Sequence, residues 1–302
     1  MSKSASNTPL LVTGASGFLG SHLVHLNEPK DVVGLYHANP PDDPRYNYRQ
    51  LDLTDFSAVR DFLHQLQPKT LIHAAANSRV EWCEKNKKQA WIINTEASIH
   101  LAKVCAEIGC KMVFVSSDMV YDGEKGDYAE NDVTKPQSHY GKTKRAAEQG
   151  VLKVNPKALA TRVSLIYGFP VQEGRGSSFL LWLLQRLQNS QEAPLFFDQT
   201  RTPVEVIELA KTLVHLAKLG VCGVVNVGGG EKTDRVTFGK HVCDIFNLPD
   251  DLIKPTPLGD YPFAHISPKN LSLNTDRLAA ILDGRLSDCK TGLSRIHNAL
   301  YA

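Results

Sequence analysis

The chain has 302 residues, a formal net charge of +2 and 22% charged side chains, which fits a globular protein with one large α/β domain or a large domain with a smaller lobe. No basic stripe interleaved with aromatic residues occurs, so we expect no nucleic-acid partner. The N-terminal residues lack the apolar segment of a secretion signal, and the longest apolar run, Phe179 to Leu184, is too short to cross a bilayer. The six cysteines show no C-x-x-C spacing, so we expect no metal site and no disulfide framework, and reduced thiols favour a cytoplasmic protein.

The first half of the chain alternates strand and helix signals. Near-continuous apolar strands separated by helices predict a Rossmann-type, doubly wound parallel sheet with right-handed crossovers. In chain order the predicted elements are strand 10–12, a helix starting at Ser21, strand 31–36, a helix capped by Thr54 and followed by Pro68, strand 70–76, helix 91–108 stopped by Gly109, strand 111–117, helix 140–154 and strand 159–167.

A glycine loop follows the first predicted strand. Thr13 to Gly20 reads T-G-A-S-G-F-L-G, so the glycines form a G-x-x-G-x-x-G pattern between a strand and a helix. Glycines there permit a tight turn, close approach of a pyrophosphate and close helix packing, and the helix N-terminus attracts phosphate. The loop therefore predicts a dinucleotide site. It is not a P-loop, because no Gly-Lys-Ser/Thr closes it.

A tyrosine and a lysine lie four residues apart in Tyr140-Gly141-Lys142-Thr143-Lys144, where i and i+4 positions of the predicted helix share one face. An ammonium near a phenol lowers the pKa of the phenol, which can then exchange a proton with a carbonyl or alcohol near neutral pH. Ser116 and Ser117 end an upstream strand, and ligands of such sheets bind at the carboxyl ends of strands. We therefore expect a Ser-Tyr-Lys set to converge there. The alternative is a generic Rossmann domain with an incidental Tyr and Lys.

After about residue 170 the pattern becomes irregular. Gly174 to Ser178 predicts a flexible loop, a helix follows from Ser178 to Leu187, and proline-bearing segments cover 197–203 and 252–268. We expect residues 1–168 to form a dinucleotide-binding domain and residues 169–302 to form mainly a smaller C-terminal substrate-binding lobe, with strand 224–227 returning to the main sheet.

Over nearly its full length the chain resembles extended short-chain dehydrogenases/reductases. The resemblance rests on the glycine loop, D-L-T-D at 52–55, H-A-A-A at 73–76, S-S-D at 116–118, Y-G-K-T-K and Tyr167-Gly168. Within that superfamily the chain is most similar to the dTDP-4-dehydrorhamnose reductases, through S-S-D-M-V-Y-D-G at 116–123, D-Q-T-R-T-P at 198–203 and the segment from Ser267-Pro268 to Leu273-Asn274-Thr275.

The resemblance implies a catalytic set of Ser117, Tyr140 and Lys144. Tyr140 would protonate a carbonyl oxygen as hydride arrives, Lys144 would lower its pKa and hold ribose hydroxyls, and Ser117 would hydrogen-bond the same oxygen. The implied cofactor-binding residues are Gly14, Ser16, Gly17, Phe18, Leu19, Gly20, His37, Asp52, Leu53, Ala74, Ala75, Ala76, Tyr140, Lys144 and Tyr167.

The implied substrate-binding residues are Ser78, Val80, Asp118 and Arg201. For Asp118 the alternative is a solvated turn or a cap, and for Arg201 it is an ordinary surface arginine. The family carries an arginine where this chain has Ser267, and Arg201 would compensate by gripping phosphate with its planar fork. Asn94 would either anchor a water or serve as a buried structural amide.

The second predicted strand ends Gly34-Leu35-Tyr36-His37, without the carboxylate that binds the ribose 2′-hydroxyl in NAD-preferring members. Nothing there repels a 2′-phosphate, and His37 could bind it. We therefore expect NADP as the cofactor, with NAD as the alternative.

The implied function is NAD(P)H-dependent reduction of the 4-keto group of a nucleotide-linked 6-deoxyhexose, in the synthesis of dTDP-L-rhamnose or a relative. Two alternatives stay open: a non-catalytic NAD(P)-binding regulatory subunit, as in methionine adenosyltransferase, and a nucleotide-sugar epimerase. The intact Ser-Tyr-Lys set favours catalysis. The expected partner is a nucleotide sugar, not a membrane. Apolar faces of the helices at 91–108 and 140–154 would form a homodimer interface or pack against the sheet.

Overall fold

A seven-stranded parallel sheet flanked by helices organises the protein in the computed structural model, which describes residues 9–172 and 178–301. The strands are Leu10–Thr13 (β1), Val32–Tyr36 (β2), Asn47–Gln50 (β3), Thr70–His73 (β4), Lys111–Ser117 (β5), Leu159–Val163 (β6), Ile166–Tyr167 (β7), Ala193–Phe196 (β8), Thr200–Arg201 (β9), Val204–Glu205 (β10), Gly223–Val227 (β11), Thr233–Asp234 (β12) and Ile253–Thr256 (β13).

The strand order in the sheet is β11-β6-β5-β4-β1-β2-β3. The chain adds β2 and β3 on one side of β1 and then β4, β5, β6 and β11 on the other side, so the strand order reverses between β1 and β4. Ligands of doubly wound sheets bind at this switch point, outside the carboxyl ends of the strands. The predicted Rossmann-type parallel sheet is confirmed. The remaining strands pair as two-stranded ladders, β7 with β10, β9 with β12 and β8 with β13.

Helices alternate with the strands of the sheet. They are Phe18–His25 (α1), Phe56–Leu66 (α2), Val80–Lys85 (α3), Lys87–Trp91 (α4), Ala97–Ile108 (α5), His139–Val154 (α6), Phe179–Gln188 (α7), Val206–Lys218 (α8), Arg235–Phe246 (α9), Asp276–Leu282 (α10) and Cys289–Tyr301 (α11). A π-helical segment, Ile92–Glu96, connects α4 to α5. In the part of the chain that the structure describes, no helix is both long and apolar enough to cross a membrane.

Two helix starts differ from the sequence prediction. α1 begins at Phe18, inside the glycine loop, and not at Ser21, because Gly17 already occupies the N-cap position. The cap of α2 is Asp55 and not Thr54, since the Asp55 carboxylate accepts the Ala58 N–H at 3.0 Å. The short carboxylate reaches this N–H directly, as is usual for an N-cap.

Strand bounds differ where the apolar pattern is discontinuous or absent. The predicted strand 159–167 is two strands, β6 in the main sheet and β7 paired with β10. β3 was not predicted, because its mostly exposed polar residues give no apolar signal. Of the predicted loop at 174–178, residues 174–177 lie outside the described residues, and Ser178 caps α7 by accepting the Leu181 N–H at 3.1 Å.

The chain divides into two compact units. Unit 1 consists of the described parts of Met1–Val115, Ala146–Ala160 and Ala210–Gly223, and unit 2 consists of those of Ser116–Arg145, Thr161–Leu209 and Val224–Ala302. Each unit therefore combines three separate stretches of sequence. A single functional boundary at residue 168 stays a prediction.

Each unit has a buried apolar core. In unit 1, Leu11, Leu71 and Ile72 of β1 and β4 are inaccessible to solvent. In unit 2, Tyr167 and Phe238 belong to a cluster with the leucines of α7. Full burial of each such side chain stabilises the fold by about 1.5–3 kcal/mol, so these cores hold the loops described below in place.

Candidate functional site

The glycine loop of unit 1 is packed too closely to accept side chains. A Cβ on Gly20 would lie 2.0 Å from the Gly14 carbonyl oxygen, and Gly14 itself has φ of +71°. A Cβ on Gly14 would lie 2.8 Å from the Ala75 Cα. The backbone of the loop is thus held against the residues after β4. The first N–H groups of α1, including those of Phe18 and Leu19, have no partner within the helix, which makes this loop suited to phosphate.

A buried histidine network fixes the segment after β4. His73 Nδ1 lies 2.7 Å from Thr13 Oγ1, and His73 Nε2 lies 2.9 Å from Ser98 Oγ. Because Ser98 donates its own hydrogen to the Asn94 carbonyl, Nε2 must donate to Ser98. Thr13 Oγ1 also accepts the Ala75 N–H at 3.2 Å. This network joins β1, β4 and α5 under the predicted cofactor residues Ala74, Ala75 and Ala76.

Asn94 lies in the π-helical segment and holds the same loop. Its Oδ1 accepts the Asn77 N–H at 2.8 Å, and its Nδ2 donates to the Asn77 carbonyl at 3.0 Å. These contacts give Asn94 the role of a structural amide. Beyond Asn77, the predicted substrate residue Ser78 is exposed, and Val80 is the first residue of α3.

A carboxylate lies beside the end of β2. His37 Nε2 is 3.6 Å from Asp52 Oδ2, and both side chains are largely exposed. Asp52 also accepts the Thr54 N–H at 2.9 Å, and this contact with backbone is the main cause that holds the pKa of Asp52 below its ordinary value. The sequence showed no carboxylate at this place, because Asp52 follows a different strand. The adjacent Leu53 is partly buried.

The predicted catalytic residues Ser117, Tyr140 and Lys144 all belong to unit 2. Ser138 caps α6 by accepting the Gly141 N–H at 3.1 Å. A Cβ on Gly141 would lie 2.2 Å from the Met119 carbonyl oxygen, so the first turn of α6 is packed directly on the turn that follows Ser117. Tyr140, Lys144 and Ser117 are 8%, 2% and 8% exposed. Because Gly141 has no side chain, α6 can approach the end of β5 this closely.

Asp118 is buried, and its carboxylate accepts hydrogen bonds from two serine hydroxyls and lies beside one guanidinium group. Ser117 Oγ donates to Oδ1 at 3.2 Å, Ser164 Oγ donates to Oδ2 at 3.1 Å, and Arg201 Nε is 3.6 Å from Oδ2. Ser117 Oγ accepts the Met119 N–H, and Ser164 Oγ accepts the Thr202 N–H. The hydroxyl hydrogen of each serine is therefore left to donate to the carboxylate. Burial raises the pKa of Asp118, while Arg201 and the two serines lower it. Burial is the largest of these effects, so the pKa of Asp118 is raised above its ordinary value, while the two hydroxyl hydrogen bonds favour the carboxylate form.

The predicted substrate residues Asp118 and Arg201 are thus in contact, and neither is a surface side chain. Arg201 is 7% exposed and also donates to the Pro268 carbonyl at 3.3 Å. The surface alternative for Arg201 and the solvated-turn alternative for Asp118 are both excluded by their burial. Their contact with substrate stays a prediction.

Tyr167 has a position that differs from the expectation for a cofactor residue. Its side chain is 1% exposed, its ring centroid is 5.1 Å from that of Phe238, and its hydroxyl oxygen would lie 2.0 Å from a Cβ on Gly292. Desolvation in this core raises the pKa of the Tyr167 phenol. A cofactor contact at this position would have to come from the Tyr167 backbone.

Two residues of this region were not singled out from the sequence. Ser164 positions Asp118, and Arg235, at the start of α9, lies beside Gln199 with its Nε 3.4 Å from Gln199 Oε1. The antiparallel pairing of Thr233 with Arg201 and of Asp234 with Thr200 explains this proximity. No spacing along the chain signals a contact between positions so far apart.

A cavity of about 520 Å³ opens beside Pro268 in unit 2. Its lining includes Asp122, Gln137, His265, Ser267 and Lys269. The described residues contain no group of three or more His, Cys, Asp or Glu side chains that could hold a metal ion.

The chain matches the family model described as RmlD substrate binding domain over residues 8–302. It is 32% identical to the probable low-salt glycan biosynthesis reductase Agl14 of Haloferax volcanii, over 88% of this chain and 90% of the relative. It is 32% identical to the dTDP-4-dehydrorhamnose reductase of Mycobacterium tuberculosis, over 84% of this chain and 80% of the relative. It is also 29% identical to methionine adenosyltransferase 2 subunit beta of Mus musculus, over 94% of this chain and 85% of the relative.

Solved structures show the same architecture. A hypothetical dTDP-4-dehydrorhamnose reductase from Sulfolobus tokodaii superposes with a TM-score of 0.82 at 30% identity, covering 94% of this chain and 98% of the other. The dTDP-4-dehydrorhamnose reductase of Bacillus anthracis in complex with NADP has a TM-score of 0.84 at 23% identity, covering 97% and 99%. Since the family model spans nearly the whole chain, the protein belongs to the RmlD substrate binding domain family, of the extended short-chain dehydrogenase/reductase type.

Proposed function

We propose that this protein is an NAD(P)H-dependent reductase of the 4-keto group of a nucleotide-linked 6-deoxyhexose. The observation that carries the proposal is the packing of α6 on the turn after Ser117, with a Gly141 Cβ only 2.2 Å from the Met119 carbonyl oxygen. This packing puts Tyr140 and Lys144, one helical turn apart, beside the end of β5. A phenol, an ammonium and a hydroxyl are the groups that a carbonyl reduction requires, and this packing supports their convergence.

The glycine loop of unit 1 supports the binding of a dinucleotide. The spaces that Cβ atoms would fill at Gly14 and Gly20 are taken up by backbone, and no side-chain hydrogen bond caps the start of α1 in the described structure. Gly14, Ser16, Gly17, Phe18, Leu19 and Gly20 would hold the pyrophosphate, and Asp52 and Leu53 would border the adenine. A reduced nicotinamide, when bound, supplies hydride for the reduction.

In the proposed mechanism the chain supplies the proton and the electrostatic stabilisation. Tyr140 donates the proton of its hydroxyl to the substrate carbonyl oxygen, and Ser117 donates a hydrogen bond to the same oxygen after its single hydroxyl hydrogen has turned away from Asp118. The Lys144 ammonium favours the phenolate that remains on Tyr140 and binds the ribose hydroxyls. Without substrate the Ser117 hydroxyl hydrogen is donated to Asp118 Oδ1 at 3.2 Å, so Asp118 holds the hydroxyl in place until substrate binds.

The substrate class is supported by two relatives named as reductases, in glycan and in dTDP-rhamnose chemistry. A second candidate function is a non-catalytic regulatory subunit, which the 29% identity to methionine adenosyltransferase 2 subunit beta over 94% of this chain favours. A nucleotide-sugar epimerase is a third, which would retain bound NAD through purification.

A turnover assay distinguishes these functions. Purified protein is mixed with dTDP-4-dehydro-L-rhamnose, generated in situ, and with NADPH or NADH, while the absorbance of the reduced nicotinamide is followed. We expect stoichiometric loss of this absorbance, faster with NADPH. Tight NADPH binding without turnover of this or related ketosugars would contradict the reductase and favour the regulatory subunit. A dinucleotide that remains bound through purification would favour the epimerase.

Cofactor preference should respond to the carboxylate beside His37. Asp52→Asn removes a negative charge 3.6 Å from His37, where a 2′-phosphate would bind. Because this charge is exposed and screened, we expect the ratio of kcat/KM for NADPH to that for NADH to rise by about 3- to 10-fold. The matched control is Asp61→Asn on the exposed face of α2, which should leave the ratio unchanged. An unchanged ratio in Asp52→Asn would place the 2′-position of the cofactor elsewhere.

A further inference from the structure

Two guanidinium groups and one carboxylate form a cluster in unit 2, in which Asp118 and Arg201 are buried and Arg235 is half-buried. Arg201 and Arg235 supply two positive charges, and Asp118 supplies one negative charge. Asp118 is in contact with Arg201 at 3.6 Å, so Arg235 has no carboxylate partner of its own among the described residues. The cluster therefore holds one positive charge in excess inside the protein, which is unfavourable unless an anion completes it.

Arg235 is incompletely paired. Its Nε donates to Gln199 Oε1 at 3.4 Å, but its Nη1 is buried and has no hydrogen-bond partner in the described structure. Its Cζ lies 4.6 Å from the Phe179 ring centroid, and this cation–π contact orients the guanidinium plane. Burial and the neighbouring Arg201 lower the pKa of Arg235 to about 9, which still leaves the side chain charged at neutral pH.

The fold adds to the positive potential at this point. Arg235 is the first residue of α9, where the helix dipole disfavours a cation, and the first turn of α9 contains no acidic residue. Asp234 is already used as the N-cap, since its carboxylate accepts the Val236 and Thr237 N–H groups at 2.8 and 2.9 Å. The helix dipole therefore opposes the charge of Arg235 but would favour an anion bound to it.

We propose that Arg235, together with Arg201, binds an oxyanion of the substrate, which in a nucleotide sugar is the diphosphate. The unpaired Nη1 supplies a hydrogen bond, and the excess charge supplies the attraction. Asp118 then positions Arg201 and is not itself the group that binds the anion. This inference rests on the proposed nucleotide-sugar function and assigns the residue that recognises the charged part of the substrate.

The test is calorimetric titration of the full chain with dTDP, thymidine and glucuronate. We expect Arg235→Met to weaken dTDP binding by about 10- to 100-fold and to leave thymidine binding unchanged. Arg235→Gln, which retains an amide beside Gln199, should show the same loss, and Arg235→Lys should restore part of the affinity. The matched control is Arg186→Met, which removes an arginine 5.6 Å from the Trp182 ring centroid on α7 and should have no effect.

Thermal unfolding provides the readout that separates binding from structure. Without ligand, Arg235→Met should unfold at the same temperature as wild type or higher, because it removes an uncompensated buried charge. A loss of glucuronate affinity alone would also support the anion site and would identify a sugar carboxylate as its source. Unchanged affinities for dTDP and glucuronate in both Arg235→Met and Arg235→Gln, or no binding of either by wild type, would overturn the proposal.

The binding readout does not depend on turnover. If the protein reduces no ketosugar but Arg235→Met loses affinity for dTDP, the anion site stands and the reductase does not. If the protein reduces a ketosugar and Arg235→Met has the wild-type KM and dTDP affinity, the reductase stands and the anion site does not.

Discussion

Tyr140→Phe is expected to lower the kcat of ketosugar reduction by about 10²- to 10⁴-fold, with KM for substrate and cofactor changed less than about threefold. The substitution retains the aromatic ring, which is 8% exposed, and removes only the hydroxyl that donates the proton. The cap of Ser138 and the Gly141 contact hold the start of α6 independently of this hydroxyl. Initial rates with NADPH, at saturating ketosugar, measure the effect.

The matched control for this substitution is Tyr46→Phe, which removes a tyrosine hydroxyl in unit 1 that has only a weak contact, 3.5 Å, with the His25 carbonyl. It should retain the wild-type kcat. Unfolding temperatures of both variants within a few degrees of wild type would exclude misfolding as the cause of a lost rate. If Tyr140→Phe keeps more than a third of the wild-type kcat, another group donates the proton.

Asp118→Asn is expected to reduce the free energy of unfolding by about 3–5 kcal/mol, measured by urea denaturation. Among the described residues, the substitution removes the one carboxylate that faces Arg201 and Arg235, so the buried Arg201 and the half-buried Arg235 lose their compensating charge. It also replaces one carboxylate oxygen, which accepts a hydrogen bond from a serine hydroxyl, by an amide N–H₂ group, which cannot accept one.

A surface ion pair provides the comparison for Asp118. Glu192 and Lys254 are 3.5 Å apart with side chains 67% and 47% exposed, so Glu192→Gln should cost less than about 1 kcal/mol. The double variant Asp118→Asn/Arg235→Met should recover part of the stability lost in Asp118→Asn, because it removes one of the two uncompensated cations. A loss below about 1 kcal/mol in Asp118→Asn itself would mean that the carboxylate does not balance the arginines.

The sheet and its glycine loop could be predicted because their signals are local. Apolar runs such as 111–117 match the strand of the structure residue for residue, and the helix signal that ends at Gly109 ends where α5 does. The prediction failed where an element has no apolar pattern, as in β3, and where a pattern continues through a break, as in 159–167. The N-cap at Asp55 was missed because Thr54 and Asp55 are both good caps, and only the observed turn selects one of them.

The sequence by itself determined the fold class and the family, and it predicted a dinucleotide site at the glycine loop, because each depends on residues close together in the chain. It also identified Ser117, Tyr140 and Lys144 as a set. Only the tertiary structure showed that Asp118 and Arg201 are in contact and that Asp52 lies beside His37. It also showed that Arg235 has a buried Nη1 without a hydrogen-bond partner among the described residues. These facts depend on the pairing of strands distant in sequence and on the exclusion of water, and neither leaves a periodic signal in the amino-acid sequence.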